Sequence, residues 1–428
     1  MVKAVTPKTV ELGPFNLGVN TRLGDNELTT RVDGGATTSY LRSAVNVDIT
    51  SPGTIKRRSG YARSLLGTDC HSLFSDNEQA YFVDGLTLYR LTGDPSALLK
   101  TAVRSGIAPS ARLSFTKLNG AVIYTDGSVL RQLNGATEAR LGVPMIEPPP
   151  AVAPGSVGGL TTGQYQVCFT YVANDGQQSG STTPVQVDVA AGQGIAITGL
   201  PPVFPAGVAG LMVYMTTVNG DQLMLANVLA APRTSLFLSV NPLLGGRCPT
   251  LLLQPMPAGT IVRKNNARLL VADGSTLHYS EPYMPALRMV NKGFISFTAP
   301  IAVIESVKTG TYVATTDETY FFSGDIASAS ADKVLPYGAV PGTGGVSPDA
   351  IKCWWMSTRG LVQAGEGGAV KNVQEAAIAM NRAAAGASLY REKDGMKQIV
   401  SSLFGTDKTG ASAYSFMQAE IVRQGVTK

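Results

Sequence analysis

A hairpin signal returns along this chain at a nearly constant interval, and that periodicity constrains the fold more than any other feature. In each copy about five strand-like residues enter a tight turn, often Asp-Gly, and a second strand follows. The copies are SDNEQAYFVDGLTLYRL, turning at Asp84-Gly85, KLNGAVIYTDGSVLRQL at Asp126-Gly127, and RKNNARLLVADGSTLHYS at Asp273-Gly274. Three more follow: KTGTYVATTDETYFFSG near Asp317-Glu318, DAIKCWWMSTRGLVQAG near Arg359-Gly360, and ASLYREKDGMKQIVSSL at Asp394-Gly395. Successive turns lie 42, 44, 42 and 35 residues apart, with one interval of 147 between Asp126 and Asp273. A period of about 40–45 residues with four strands per unit is that of propeller blades. The expected fold class is therefore all-β, a β-propeller of about six blades.

The long interval predicts an insertion. Taking out one blade period leaves roughly a hundred residues, the size of a small β-sandwich. At its start stands the proline-rich linker EPPPAVAP (147–154), and Pro249 to Pro257 punctuates the return. Between them GQYQVCFTYVANDGQQSG alternates, with Tyr165, Val167, Phe169 and Tyr171 on one face and Gln166, Cys168 and Thr170 on the other. Further strands are expected at Val185–Val189, Ile195–Ile197 and Leu211–Val213. The insert holds no Trp and no Cys pair suited to an immunoglobulin core, which favours a fibronectin-III-like variant of the immunoglobulin architecture. The expected domains are an N-terminal arm (1–45), a discontinuous propeller (46–148 and 255–428) and the inserted sandwich (150–250). One helix is expected, over Gln374 to Ala385. A short hairpin around Ser51-Pro52-Gly53 is expected to pair with a C-terminal strand containing Tyr414, Phe416 and Ile421, closing the propeller.

Composition narrows function. Charged residues make up 15% of the 428, below the roughly 25% of an average soluble domain, which suits surface buried in an assembly. The net charge of +5 is too small to name a nucleic-acid partner without a local patch. The densest cluster is Lys56-Arg57-Arg58, with Arg63 behind it. It reads as a charge-protected strand edge or as a basic rim facing phosphates or an acidic subunit. With only His71 and His278 available, metal sites and His-dependent nucleophilic catalysis have almost no ligands or bases. Cys70, Cys168, Cys248 and Cys353 are far apart, without CxxC or framework spacing, and read as reduced, mostly buried thiols. No cofactor, metal or catalytic site is expected, and the chain is read as non-enzymatic. No apolar leader or membrane span is seen. The Asp-Gly pairs read as type I′ turns, since no DxDxDG calcium loop occurs. Glu366 with Asp394 is a weak carboxylate pair, and GEGG (365–368) is a turn. One ring of Trp354-Trp355 is expected to fill a blade core while the other packs on a neighbour.

The N-terminal stretch adds a likeness. Asn16-Leu17-Gly18-Val19-Asn20, then Ala44-Val45-Asn46-Val47-Asp48, then Gly53-Thr54-Ile55-Lys56-Arg57-Arg58-Ser59-Gly60-Tyr61 resemble the opening of the nozzle, or tail hub, proteins of short-tailed bacteriophages. The inserted segment is similar to fibronectin-III-like modules of virion proteins. The resemblance implies a structural virion tail protein assembled in the host cytoplasm. It implies a homohexameric ring that meets the portal and adaptor and tail-fibre or tail-tip proteins. The ring would line the DNA ejection channel, touch genomic DNA transiently and retain the packaged genome. Lys56, Arg57, Arg58 and Arg63 are then candidate channel or interface residues. The alternative is a receptor- or glycan-binding tail component, for which Phe204 is the main exposed aromatic candidate.

Overall fold

The computed structural model describes residues 13–31, 37–50, 52–58, 60, 63–76, 78–94, 96–380, 383–393, 396–405 and 419–423. The chain is all-β, built of small antiparallel propeller-type sheets with a two-sheet sandwich inserted among them. It divides into two compact units, one of residues 67–306 and 324–330, the other of residues 1–66, 307–323 and 331–428.

The unit beginning at Gly67 holds three four-stranded meanders. The first blade runs through Cys70–Ser75, Ala80–Asp84, Thr87–Thr92 and Leu99–Arg104. The second runs through Ser114–Leu118, Ala121–Thr125, Leu130–Asn134 and Thr137–Arg140. The third is formed by Ile261–Asn265, Arg268–Asp273, Thr276–Tyr279 and Phe294–Ser296. The Asp-Gly turns fall between paired strands as predicted, with Gly85, Gly127 and Gly274 at φ +61°, +92° and +57°. That left-handed backbone is why Gly recurs there.

The second and third blades are far apart in sequence and adjacent in space. Ser114 Oγ accepts from Val262 N (3.0 Å), and Thr125 Oγ1 donates to the Gly259 carbonyl (2.7 Å). Leu118 and Ile123 of one blade share a core with Val262, Leu269 and Val271 of the other. An aromatic column joins the first blade to the second, with Phe115 5.4 Å from Phe74 and 5.7 Å from Tyr124 between ring centres. The chain therefore leaves after one blade and returns to build its neighbour.

What it makes in between is a seven-stranded sandwich. Ala151–Pro154, Ile195–Thr198 and Ser235–Leu238 form one sheet. Val185–Val189, Gly163–Ala173, Val208–Met215 and Met224–Leu229 form the other, in that order. Tyr165, Val167, Phe169 and Tyr171 all face the core between them, as their alternation requires. Numbered along the insert, the pairing orders are 1-4-7 and 3-2-5-6. They depart from the A-B-E-D and C-F-G sheets of an immunoglobulin constant domain.

The other unit contains the meander Gly310–Thr315, Thr319–Ser323 and Ala331–Leu335, and the four-stranded sheet Gly345–Val346, Cys353–Ser357, Gly360–Ala364 and Val370–Asn372. A third sheet pairs Ala385–Lys393 with Met396–Phe404 and that strand with Ala419–Arg423. The Asp394-Gly395 turn itself lies outside the described residues. In both units buried hydroxyls brace the hairpins. Thr125, Thr315 and Ser357 each end a strand and accept from the N–H of Gly127, Asp317 and Arg359, at 3.1–3.2 Å.

Two expectations fail here. Among the described residues of this stretch (374–380 and 383–385) there is no helix: a turn spans 375–377, and strand starts at Ala385. Backbone groups that a helix would use internally are taken elsewhere, since Thr21 N donates to Ala377 O (2.8 Å) and Ala379 N to Thr21 Oγ1 (3.0 Å). Alanine propensity of a few tenths of a kcal/mol per residue yields to such contacts. Nor does the hairpin near Gly53 pair with the C-terminal strand. Val47–Ile49 pairs with Ile55–Arg57, whereas Ile421 lies opposite Val400. Tyr414 and Phe416 lie outside the described residues.

Candidate functional site

The basic cluster sits on that short hairpin, and strand alternation decides how much charge it presents. Arg57 pairs with Val47, Lys56 with Asp48 and Ile55 with Ile49. Residues directly opposite share a face, so Lys56 and Arg58 lie on the side of Asp48 while Arg57 points to the other. Arg58 Nε is 3.4 Å from Asp48 Oδ1, both side chains only 17% exposed. Lys56, Arg57 and Arg63 are exposed and make no ion pair among the described residues. The four cations therefore split into Arg58, held in a partly buried pair, and three solvent-facing charges, of which Lys56 and Arg57 lie on opposite sides of the hairpin.

The hairpin is anchored from below by the N-terminal strip. Phe15 N donates to Gly53 O (2.8 Å), and Gly53 is at φ +85°. A Cβ on Gly53 would come within 2.7–2.9 Å of Pro14, Phe15 and Asn16, so only glycine lets the two segments meet. The strip continues through Asn20, whose backbone N donates to Leu41 O (2.8 Å) and whose side-chain oxygen caps Arg22 N and Leu23 N. Residues 16–20 and 53–58 thereby form one local assembly.

The densest ionic network was not foreseen, because its members are scattered over two blades. Arg104 lies 3.1 Å from Asp126 and 3.0 Å from the Tyr124 hydroxyl, which donates to Glu138. Arg131 completes the set, 3.4 Å from Glu138. Burial and the neighbouring Glu138 carboxylate push the Tyr124 phenol well above its ordinary range. Burial works to raise Asp126, but hydrogen bonds from Ser128 and Val129 and the charge of Arg104 hold it below the usual carboxylate value. Two cations balance two carboxylates around a protonated phenol, which makes a brace between blades.

Both histidines are half-buried. His71 Nδ1 lies 2.8 Å from Ser72 Oγ, and His278 leans on Phe294 with ring centres 6.5 Å apart. His71 Nε2 and His278 Nδ1 are buried without a partner among the described residues. Burial, reinforced by Arg112 near His71 and Arg288 near His278, pulls both below 6.5. The folded protein keeps them neutral at a pH where the unfolded chain binds protons. Stability should be complete above pH 6.5 and fall as pH drops from there toward the folded values. Urea midpoints at pH 7.5 and 5.5 are expected to separate for the native chain and to converge for His71→Gln/His278→Gln. An unchanged pH slope in the double variant would refute this.

The remaining candidates resolve as follows. Phe204 is half-buried, edge-on to Tyr171 at 6.0 Å, and packs on the sandwich core. The exposed aromatic of the sandwich is instead Phe237, 46% exposed, lying over Gly155 and Gly194, where a Cβ would come 2.2 and 2.9 Å from its ring. GEGG forms a turn whose Gly365 and Ala369 carbonyls accept from Tyr312 Oη at 2.7 and 3.1 Å. Glu366 belongs to that turn, and Asp394 lies outside the described residues. Trp355 meets the Tyr312 ring at 5.7 Å and Trp354 the Tyr390 ring at 5.8 Å, so the two rings serve opposite faces. Cys168 and Cys353 are buried, Cys248 is half-buried, and Cys70 is exposed, contrary to the general expectation of burial. Among the described residues no group of three or more His, Cys, Asp or Glu could hold a metal ion, and no helix is long and apolar enough to cross a membrane.

No sequence family and no curated protein matches the chain. Among solved structures it is similar to the WD40 domain of Neurospora crassa Pan2, at 10% identity and TM-score 0.33, over 77% of this chain and 85% of that one. Kluyveromyces lactis Hsv2 matches at 10% identity and TM-score 0.29, over 77% and 87%. The BBS1N–ARL6DN complex matches at 9% and 0.31, over 79% and 90%.

Proposed function

We propose that the protein is a structural subunit of a phage tail, one member of a cyclic ring that lines the DNA ejection channel and helps retain the packaged genome. The observation that carries this reading is the union of the two halves of the N-terminal motif. The Asn16–Asn20 strip and the Gly53–Arg58 hairpin, separate in sequence, meet at a glycine that tolerates no side chain. That the two halves fold as one docked piece supports reading them as one motif. The low charge content supports large subunit interfaces, and a cyclic ring satisfies closed symmetry through heterologous contacts. On this reading the chain is non-enzymatic, its partners are copies of itself, a portal or adaptor and a tail fibre or tip protein, and DNA is met without sequence readout.

Native mass measurement followed by negative-stain imaging tests the assembly. A closed ring, six-membered by the likeness, is the expected result; a protein that stays monomeric at micromolar concentration and binds a glycan array would overturn it in favour of a receptor-binding component. The packed position of Phe204 removes the main candidate for that second role. The exposed cations give a further check. Lys56→Glu/Arg57→Glu/Arg63→Glu is expected to weaken low-salt retention of duplex DNA and to flatten its salt dependence by about one unit of log–log slope per lost phosphate contact. Equal retention by variant and native rings would remove these residues from the channel.

A further inference from the structure

The outer face of the larger sandwich sheet carries a covered cysteine. Core-facing residues alternate along Gly163–Ala173, so Cys168 projects from the opposite face, opposite Tyr214 on the next strand. That face is not open to solvent, and both Cys168 and Tyr214 are buried. What covers them is the segment that leaves the sandwich. It begins along the edge strand Met224–Leu229, with Gly245 N donating to Leu225 O (2.8 Å) and Cys248 N to Leu223 O (2.9 Å). Two residues later it has reached the far edge, where Ser181 N donates to Thr250 O (3.2 Å) and Ser181 Oγ accepts from Leu252 N (3.0 Å). Cys248 lies within this crossing and packs with Leu251 against the cluster of Cys168, Tyr214 and Leu223.

From this juxtaposition we infer that Cys168 and Cys248 form a redox-reversible disulfide that clasps the exit strand of the insert to its sheet. The two thiols differ in the way an exchange reaction needs. Contact with Cys168 draws the Cys248 thiol down, while contact with Cys248 and burial push Cys168 up. The half-buried Cys248 also borders a groove of about 340 Å³ lined by Pro249, Leu251, Glu281, Pro282 and Met289, through which a small oxidant can reach it. With glutathione disulfide as the oxidant, the Cys248 thiolate attacks one glutathione sulfur, forming a mixed disulfide and releasing a glutathione thiolate that takes up a proton. Cys168 then attacks the Cys248 sulfur, passing its proton to the departing glutathione sulfur, so that the second glutathione leaves as the thiol. The protein loses two protons and two electrons, and one glutathione disulfide takes them up to become two glutathiones.

The test uses the folded full chain. After incubation with glutathione disulfide, acid quenching, alkylation and digestion without reductant, mass spectrometry is expected to find the 168 and 248 peptides joined. Thermal unfolding of the intact oxidised protein should have a midpoint above that of protein treated with dithiothreitol. The exposed Cys70 serves as the internal control, because its glutathione adduct shows that the oxidant was active; Cys70→Ser then excludes exchange through that thiol. Finding Cys168 and Cys248 both alkylated while Cys70 carries glutathione would overturn the inference. So would a glutathione adduct that persists on Cys248 without passing to Cys168. The mapping needs no cysteine-free variant, so misfolding of Cys248→Ser would leave it intact.

Discussion

Replacing Trp355 by alanine is expected to lower the unfolding free energy by about 3–5 kcal/mol, the range for removing a large aromatic from a packed core. The side chain is fully buried, and its strand, Cys353–Ser357, is buried at every position. Its ring meets Tyr312, also fully buried, which in turn packs at a tilt on Phe321 at 4.7 Å and holds the 365–369 turn through its hydroxyl. Truncation empties a site whose lining is fixed by those hydrogen bonds, so the cavity cannot easily collapse. The indole N–H has no partner among the described residues, so no acceptor is orphaned by the change. The effect is therefore one of volume. Trp355→Phe, which keeps most of the ring contact, should cost far less. Urea unfolding followed by the fluorescence of Trp354 measures both, and a loss below about 1 kcal/mol for the alanine variant would mean that the site collapses after all.

The hairpin series was legible because its turns need a residue type that announces itself. Asp-Gly marks backbone that only glycine adopts freely, and five of the six turn positions fall between paired strands, the sixth lying outside the described residues. The insertion was legible for a different reason: a period broken by 147 residues must hold more than one blade. The strands Gly163–Ala173 and Val185–Val189 then showed by alternation which face is core. Residues 374–385 were misread because propensity is local while the competing hydrogen bonds come from Thr21, more than 350 residues away. Free strand edges need partners, which points to pairing between the chain ends, yet the hairpin at Val47–Arg57 draws its support from the strip at Pro14–Asn16 instead.

The candidate sites were legible only as residue types. Lys56, Arg57, Arg58 and Arg63 stand out by proximity in sequence, but the register with Asp48 decides that Arg58 is structural and the rest face solvent. Arg104, Tyr124, Asp126 and Glu138 could not be grouped beforehand, because nothing local says that the end of one blade lies against the next blade. The Cys168–Cys248 pair failed the spacing test for the same reason. Their meeting depends on the course of a crossing segment, which has no periodic signature.

Arg263→Met is expected to destabilise the unit of residues 67–306 by about 3–5 kcal/mol, through the carboxylate it would strand. Arg263 Nε and Nη2 donate to Glu305 Oε1 at 3.1 and 2.9 Å, and Nη1 donates to Val262 O (2.8 Å), Ser114 Oγ (3.1 Å) and Phe115 O (3.4 Å). One guanidinium thus ties the second blade to the third and neutralises an acid. The two partners are not equivalent, because the Glu305 side chain is 2% exposed and that of Arg263 27%. Losing the arginine leaves a charge with no route to water. Losing the carboxylate leaves a cation that still has three acceptors and partial hydration. Glu305→Gln should therefore cost clearly less than Arg263→Met, and Arg263→Met/Glu305→Leu should recover most of the single-variant loss, since an apolar pair can replace a buried ion pair at little penalty. Urea unfolding of the four proteins measures the three changes side by side. Equal losses for the two single variants, with no recovery in the double, would show that Arg263 acts through its contacts to Ser114 and Phe115 alone and that Glu305 is satisfied without it.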